Sequence, residues 1–500
     1  MDEISNRATG GPSNGQRTFA GLLLGAVLAA CSGEQSGAPS PQKQGRRPDV
    51  FLVVVDTLRA DHLSAYGYPE PTSPTLDRLA REGVLLEDVT AQCSWTKPSV
   101  VSLMTSHYIT TYRDTFEESA TTMAESFRDA GYRTIGVVGN VLLSKAEGFD
   151  RGFDHYDARR VSGEVAEKPG PCRTLDELLE DLWGPLDAAL GDGAGAERQP
   201  LFVCFHIMEP HNPYVYRKPL REVLKKRNSP EFDPDGWLAA SYAAGGDEPP
   251  EEDAGWENAW GRIRSLRYHY DHEIRYTDAG LQRLMDGLLQ RGLLANAVLG
   301  VVADHGESLW EHAALPKTKG EDATAPFDYF HQEHGVFLYQ GLIGTPMVLW
   351  GAGLPAGVRV PNAVENVDLY PTLLELADVA PPEGLHGRSV VPLINGAAWN
   401  KEFVHSYVLQ HASIREVATG LKLQVPTEVG VSQGAQVSLY DLMEDPEEHD
   451  NLAAQRPAEV ERLLGLLEKW REGYPMASSN EALKDQQTLD DLKALGYAGD

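Results

Sequence analysis

The sequence predicts an α/β protein: a central, mostly parallel sheet with helices on both faces, followed by a smaller C-terminal α+β subdomain. Three observations carry this. From Val50 onward, short continuous apolar runs alternate with longer amphipathic segments. The runs Val50–Val55, Thr134–Val138, Leu201–Phe205, Val298–Ala303 and Pro346–Trp350 show no regular polar alternation, as strands buried on both faces require. Polar residues follow these runs directly, and sheets of this kind bind ligands beyond the carboxyl ends of their strands. The chain has 500 residues, 42% of them apolar and 8% aromatic, which suffices for a large core and excludes disorder and collagen.

Taken in order, the chain opens with an apolar stretch, Phe19–Ala30, shorter than the roughly 20 residues a bilayer span needs. It ends in Leu28-Ala29-Ala30-Cys31, so residues 1–31 read as a signal peptide. The pattern resembles the lipobox of bacterial lipoproteins, which implies lipidation of Cys31; the alternative is a free cysteine. Asp2 and Glu3 depart from a basic leader, and Arg17 partly restores it. Residues 32–47 form a Ser-, Gly-, Pro- and Gln-rich tether. Ser32 after the cysteine resembles lipoproteins sent to the outer membrane, so the expected location is a Gram-negative cell envelope, with the lipid as the only membrane contact. The main α/β domain is expected over 48–395, a C-terminal subdomain over 396–478 and a tail over 479–500. Cys93, Cys172 and Cys204 have neither the number nor the spacing of a disulfide framework or a metal knuckle.

Charge narrows the partners. Lys and Arg number 44 against 74 Asp and Glu, a net of −30. Residues 1–47 carry five basic and three acidic side chains, so about −32 falls on the remainder. A nucleic-acid binder would carry the opposite sign. An anionic substrate would need a local device against this field, a metal ion or a helix N-terminus.

Such devices stand at the strand ends. Asp56 follows the first run, and Asp304-His305-Gly306-Glu307 follows a later one. Carboxylates and an imidazole converging from two strands suit one divalent cation, Mn²⁺, Mg²⁺, Ca²⁺ or Zn²⁺. Singly, each is equally a helix cap or a turn. Thr96 begins Thr96-Lys97-Pro98-Ser99, where Pro98 suits a first helical position. Its hydroxyl is either a cap or a nucleophile beside the N–H groups of a helix start. His211, in Glu209-Pro210-His211-Asn212-Pro213, sits on a loop stiffened by prolines, and His334 is a second candidate imidazole for an oxyanion or a leaving oxygen. Asn140 and His206 end two further runs.

Together these segments resemble the sulfatase family of the alkaline phosphatase superfamily. The matching pieces are Asp56 to Arg59, Ala65 to Tyr68, Thr96 to Ser106, Pro210 to Tyr214, Tyr270 to Asp278, Asp304 to Glu307 and Asp368 to Thr372. Ser438 to Leu442, Asp445-Pro446, Asn451-Leu452 and Leu492 to Tyr497 resemble the family's C-terminal subdomain and tail. The resemblance covers roughly residues 48–500 and implies an alkaline-phosphatase-like fold and a metal-dependent hydrolase of sulfuric or phosphoric esters.

One departure bears on the reaction. Family sulfatases begin the helix with Cys or Ser, then Pro-Ser-Arg after one residue, and oxidise the first residue to formylglycine; this chain has Thr96 and Val100. Threonine cannot give that aldehyde, because its Cβ carries a methyl group. The resemblance then implies direct attack by Thr96, and the set Asp56, Thr96, Asp304 and His305 resembles the one-metal sites of phosphonate monoester hydrolases and of threonine-dependent phosphotransferases such as the lipoteichoic-acid synthases. It implies metal ligands Asp56, Thr96, Asp304 and His305, with Thr57 in place of a second carboxylate. His211, His334 and Lys97 are the implied catalytic partners, and Asn140, His206 and Arg59 are substrate-side or supporting groups. Pairing with a nearby carboxylate is the competing role for Arg59. Phosphate or phosphonate esters, cleaved or transferred, suit a threonine best. The alternatives are a sulfuric ester hydrolase without formylglycine and an inactive surface protein that binds anionic glycans or another cell-envelope component. Residues 313–333 read as an insertion that rims the pocket.

Overall fold

Strand β1, Asp49–Val55, is buried along its whole length. Its alternate side chains face two different sets of helices, which is why no polar alternation shows in its sequence. Phe51, Val53 and Val55 pack with α1 (Pro74–Glu82), α4 (Leu175–Leu190) and α5 (Ala254–Gln290). Val50, Leu52 and Val54 pack with α2 (Thr96–Thr105), α3 (Met123–Asp129) and α6 (Leu369–Leu376). Each such aliphatic side chain contributes about 1.5–3 kcal/mol of burial. Asp49, the one charge in β1, is held by Arg198 and Arg46 at the strand's entry. The computed structural model describes residues 46–111, 114–159, 172–191, 198–214, 254–313 and 330–475. The signal segment with Cys31, the tether before Arg46, most of the 313–333 insertion and the 479–500 tail lie outside the described residues.

The remaining strands of the main sheet are β2 (Val84–Thr90), β3 (Arg133–Val138), β4 (His155–Asp157), β5 (Leu201–Ile207) and β6 (Ala297–Ala303), with a separate β7–β8 hairpin (Ser308–Ala313, Phe330–Glu333) before β9 (Met347–Gly351) and β10 (Val358–Glu365). The order across the sheet is β10-β2-β9-β6-β1-β5-β3-β4. Strand β9 runs antiparallel to both neighbours, and every other pairing is parallel. The expected mostly parallel sheet with two covered faces is therefore present. Sequence reasoning missed β2, β4 and β10. Val84-Leu85-Leu86 is cut by Glu87 and Asp88, and β10 exposes three of its first five side chains as the sheet nears its edge.

Beyond the main sheet, β11 (Phe403–Tyr407), β12 (His411–Glu416), β13 (Leu421–Pro426) and β14 (Ser438–Asp441) form an antiparallel sheet. Leu463, Leu467 and Trp470 of α7 (Pro457–Gly473) pack on it. Lys401 ties this region to the end of β10, and Lys422 of β13 pairs within it. Lys401 Nζ lies 2.6 Å from both Glu365 and Asp368, and Lys422 Nζ lies 2.8 Å from Glu448.

Candidate active site

Four parallel-strand ends meet at one place. Asp56 leaves β1, Asn140 follows β3, His206 is the penultimate residue of β5, and Asp304-His305 leave β6. These strands are neighbours in register, Val54 opposite His206 and Val55 opposite Ala303, so their ends deliver side chains into a common volume. The turn after β6 demands glycine: a Cβ on Gly306 would stand 2.0 Å from the Gly341 carbonyl oxygen. At the end of β1, Thr57 adopts φ +55°, a left-handed conformation costly for a β-branched residue. There its N–H donates to Asp304 Oδ1 at 3.3 Å, and its carbonyl accepts from Tyr270 Oη at 2.6 Å.

Ligand atoms of Asp56, His206 and Asp304 all lie within 4.8 Å of one another, and all three residues are buried. His305 Nε2 stands 3.7 Å from Asp56 Oδ1 and 3.6 Å from Asp304 Oδ2. Asp56 Oδ1, Asp304 Oδ2 and both ring nitrogens of His206 are buried without a hydrogen-bond partner. Leaving such atoms unpaired costs about 1–3 kcal/mol each. Burial, then repulsion from Asp304, holds the Asp56 carboxyl well above its ordinary range, and burial pushes Asp304 up to about 7. Burial also lowers His305, and burial with His305 as neighbour lowers His206 to about 3. Carboxylates resisting charge beside imidazoles kept neutral are a donor set that a divalent cation satisfies.

Thr96 belongs to this cluster. Its Oγ1 lies 3.1 Å from His305 Nε2. The cap reading fails, because Trp95 holds the N-cap position and Thr96 is the first residue of α2. Pro98 is accordingly the third helical residue, not the first. All ten residues of α2 are buried, and Ser99 Oγ donates to the Asp304 carbonyl at 2.5 Å, tying helix start to metal loop.

His211 and His334 approach from outside. The His334 ring centroid is 4.4 Å from that of His305 and 5.0 Å from that of His211. The loop carrying His211 has cis peptides at Glu209–Pro210 and Asn212–Pro213.

Four further sequence candidates are placed by their contacts. His206, expected beside the substrate, instead joins Asp56 and Asp304 in the ligand cluster; a histidine inside an otherwise apolar strand was the available signal. Asn140 spends its amide on the protein, donating to Asp56 Oδ2 at 3.1 Å and accepting from Leu142 N–H at 3.0 Å. Arg59 is bound by Asp61 and Glu311, and so is not left for an anion. Lys97 Nζ lies 3.2 Å from Glu147 and 3.4 Å from Asp114, nearly buried between them. For Asn140, Arg59 and Lys97, nearby acids or backbone groups take the donor, because a buried polar group or charge left unpaired is the costlier arrangement. Glu307 was quoted only as part of a motif; it is buried, with Oε1 2.9 Å from His334 Nδ1.

Known proteins resemble this chain in sequence and fold. Residues 48–379 match the family described as Sulfatase, and residues 329–469 match the one described as N-sulphoglucosamine sulphohydrolase, C-terminal. Among characterised relatives, arylsulfatase K of Canis lupus familiaris is 28% identical over 229 residues, 44% of this chain and 39% of the relative. Iduronate 2-sulfatase of Homo sapiens is 26% identical over 419 residues, 73% of this chain and 76% of the relative. The chain thus spans about two fifths of the arylsulfatase K relatives it matches. Similar solved folds include a phosphonate monoester hydrolase from Silicibacter pomeroyi, with TM-score 0.65 and 17% identity over 88% of this chain and 98% of that one. Another is a protein in complex with its substrate D-glucosamine-2-N,6-O-disulfate, with TM-score 0.60 and 19% identity over 87% of this chain and 100% of that one.

Proposed function

This chain belongs to the sulfatase family, and on that premise we propose that it is a metal-dependent hydrolase of oxyanion esters with Thr96 as nucleophile. The observation that carries the reading is the 3.1 Å approach of Thr96 Oγ1 to His305 Nε2, at the edge of the buried Asp56, His206 and Asp304 cluster. Asp56, His206, Asp304 and His305 would hold one divalent cation, with Thr96 beside it. Two imidazoles with two carboxylates favour Zn²⁺ or Mn²⁺ over Ca²⁺. When bound, the cation supplies positive charge that lowers the pKa of a neighbouring hydroxyl and offsets the charge of the ester.

The chain's own residues do the rest. Asn140 orients the Asp56 carboxylate. Thr96 presents its oxygen from the first turn of a buried helix, whose positive dipole end favours an approaching anion. His211 and His334 hold nonbridging oxygens or exchange a proton with the leaving oxygen. An adduct on threonine has no second hydroxyl through which to eliminate, so water must displace it. Phosphate and phosphonate esters suit that displacement, and the resemblance to a phosphonate monoester hydrolase fold is in keeping with it.

A second reading, hydrolysis of sulfate esters without formylglycine, is favoured by the sulfatases among the relatives. Metal analysis of the purified protein, with turnover measured on aryl phosphate diesters, phosphonates and sulfates, decides between them. Bound metal, phosphorus ester turnover and its loss in Thr96→Ala are expected. Turnover of sulfate alone selects the second reading. Absence of metal and turnover with retained glycan binding selects an inactive surface protein. The Phe19–Ala30 run ending in Cys31 supports a lipid-held location in the cell envelope.

A further inference from the structure

We infer that Trp95 is a specificity-determining residue of this site, an aromatic wall on which a flat, uncharged ring carried by the central atom of the ester stacks. The inference rests on the proposed hydrolase reading for the ester, and on burial and packing for the wall.

Over residues 89–106 every residue is buried except Trp95, which is half-buried. It stands immediately before Thr96, at the N-cap of α2. Capping does not account for it, since an indole has no oxygen to accept a helix N–H and its side chain makes no cap hydrogen bond. Burial alone does not account for it either, because tryptophan is among the most buried side chains on average and apolar surface left wet forfeits stability. A partly open aromatic beside a nucleophile is what a pocket for an organic group requires.

Two apolar clusters meet at this indole. One holds Val141, Leu142 and Met208, just beyond β3 and β5, and the Met208 carbonyl accepts from the His211 N–H at 3.0 Å. The other holds Phe337 and Leu338, which follow His334. Trp95 packs on both, and so stands between the loops that carry the two outer imidazoles. Gly335, at φ +85°, passes it with bare backbone: a Cβ there would stand 3.6 Å from Trp95 Cβ, Cγ and Cδ1. A longer side chain at that position would lie along the ring, and glycine leaves it clear.

The lining selects the occupant. None of these side chains is charged, and Lys97, the next cation along the chain, is held by Asp114 and Glu147. A planar ring gains from an indole by offset or edge-to-face packing, whereas a further anionic group finds no counter-charge on this wall. In-line displacement sends the leaving oxygen away from Thr96, so a wall on the neighbouring residue serves the substituent that stays on the central atom. Phosphonate monoesters and phosphate diesters carry such a substituent, and sulfate monoesters have none. The substrate class is an ester of phosphorus with an aryl group retained on the central atom.

Two measurements on the full-length protein, with Zn²⁺ or Mn²⁺ added, test this. The first compares turnover of p-nitrophenyl phenylphosphonate and p-nitrophenyl methylphosphonate, which share a leaving group. The phenyl compound should have the higher kcat/KM, by about tenfold. Trp95→Leu keeps apolar packing without the ring; it should raise KM for the phenyl compound about tenfold, with kcat within about threefold and the methyl compound within about twofold. Trp95→Phe should keep most of the preference. A purely structural Trp95 would instead displace Thr96 and slow both compounds alike. The second measurement is equilibrium binding of phenylphosphonate and methylphosphonate, neither of which has a leaving group, by calorimetry. Phenylphosphonate should bind about tenfold tighter, and Trp95→Leu should abolish the difference. No preference in the parent protein, a preference that survives Trp95→Leu, or equal loss on both compounds overturns the inference; the first of these needs no variant to fold. A ring preference that Trp95→Leu abolishes, in a protein that turns over no ester, leaves the wall intact and refutes the hydrolase reading. Turnover without a ring preference does the opposite.

Discussion

Two regions of this molecule bury carboxylates, and they treat them in opposite ways. Around the antiparallel sheet, Glu365 and Asp368 share Lys401, with the Tyr108 hydroxyl donating to Glu365 at 2.8 Å, and Glu448 pairs with Lys422. At the ends of the parallel strands, Asp56 and Asp304 lie beside imidazoles, and among the described residues neither forms an ion pair with a lysine or arginine. The chain neutralises its structural acids with its own cations and leaves the other pair for a cation from outside. A pair of buried acids without a lysine or arginine from its own chain therefore marks the candidate site.

The sharpest break of this contrast is to remove the central group of each region in turn. Thr96→Ala should lower turnover at least about 10³-fold, as loss of a nucleophile does, while leaving the melting temperature nearly unchanged. Lys401→Met should do the reverse, destabilising the fold by about 3–5 kcal/mol because it strands two buried carboxylates. Parallel kinetics and denaturant unfolding check both; a Thr96→Ala protein that unfolds early, or a Lys401→Met protein of full stability, would erase the distinction.

Chelation should expose the strain that the cation relieves. Burial raises Asp304 to about 7 in the folded protein, against roughly 4 for an unperturbed aspartate. Between those values the folded state keeps a proton that the unfolded chain has released. The metal-free protein should therefore lose stability as pH rises from about 4 to about 7, and saturating Zn²⁺ or Mn²⁺ should flatten that slope. Melting curves across this range, with and without chelator, measure it. For the same reason, Asp56→Asn should stabilise the chelated protein, by about 1 kcal/mol, while weakening metal binding.

The smallest effect is expected at Thr57. Glycine there relieves the +55° backbone conformation and deletes a buried hydroxyl that lacks a partner. Net of the entropy glycine adds to the unfolded chain, Thr57→Gly should stabilise by about 1 kcal/mol, read from the denaturation midpoint. Destabilisation would show that the strand end is not strained.

Much of the fold was legible because its signal is local. Continuous apolar runs mark β1, β3, β5, β6 and β9, and the strand-end rule groups Asp56, Asn140, His206, Asp304 and His305. Strands β2 and β10 escaped because charges on exposed positions broke their runs. The antiparallel sense of β9 has no local signature at all, since direction depends on the connection and not on the strand's own residues.

By itself, then, the sequence determined the class of fold, the kinds of donor at each strand end and the replacement of the expected helix-start residue by Thr96. Only the tertiary structure decided which donors meet. It drew His206 into the ligand cluster, and it committed Lys97 to Asp114 and Glu147, Arg59 to Asp61 and Glu311, and Glu307 to His334. The reason is physical: periodicity is written along the chain, whereas a buried charge is satisfied by whichever group lies within a few ångströms through space, however far away in sequence.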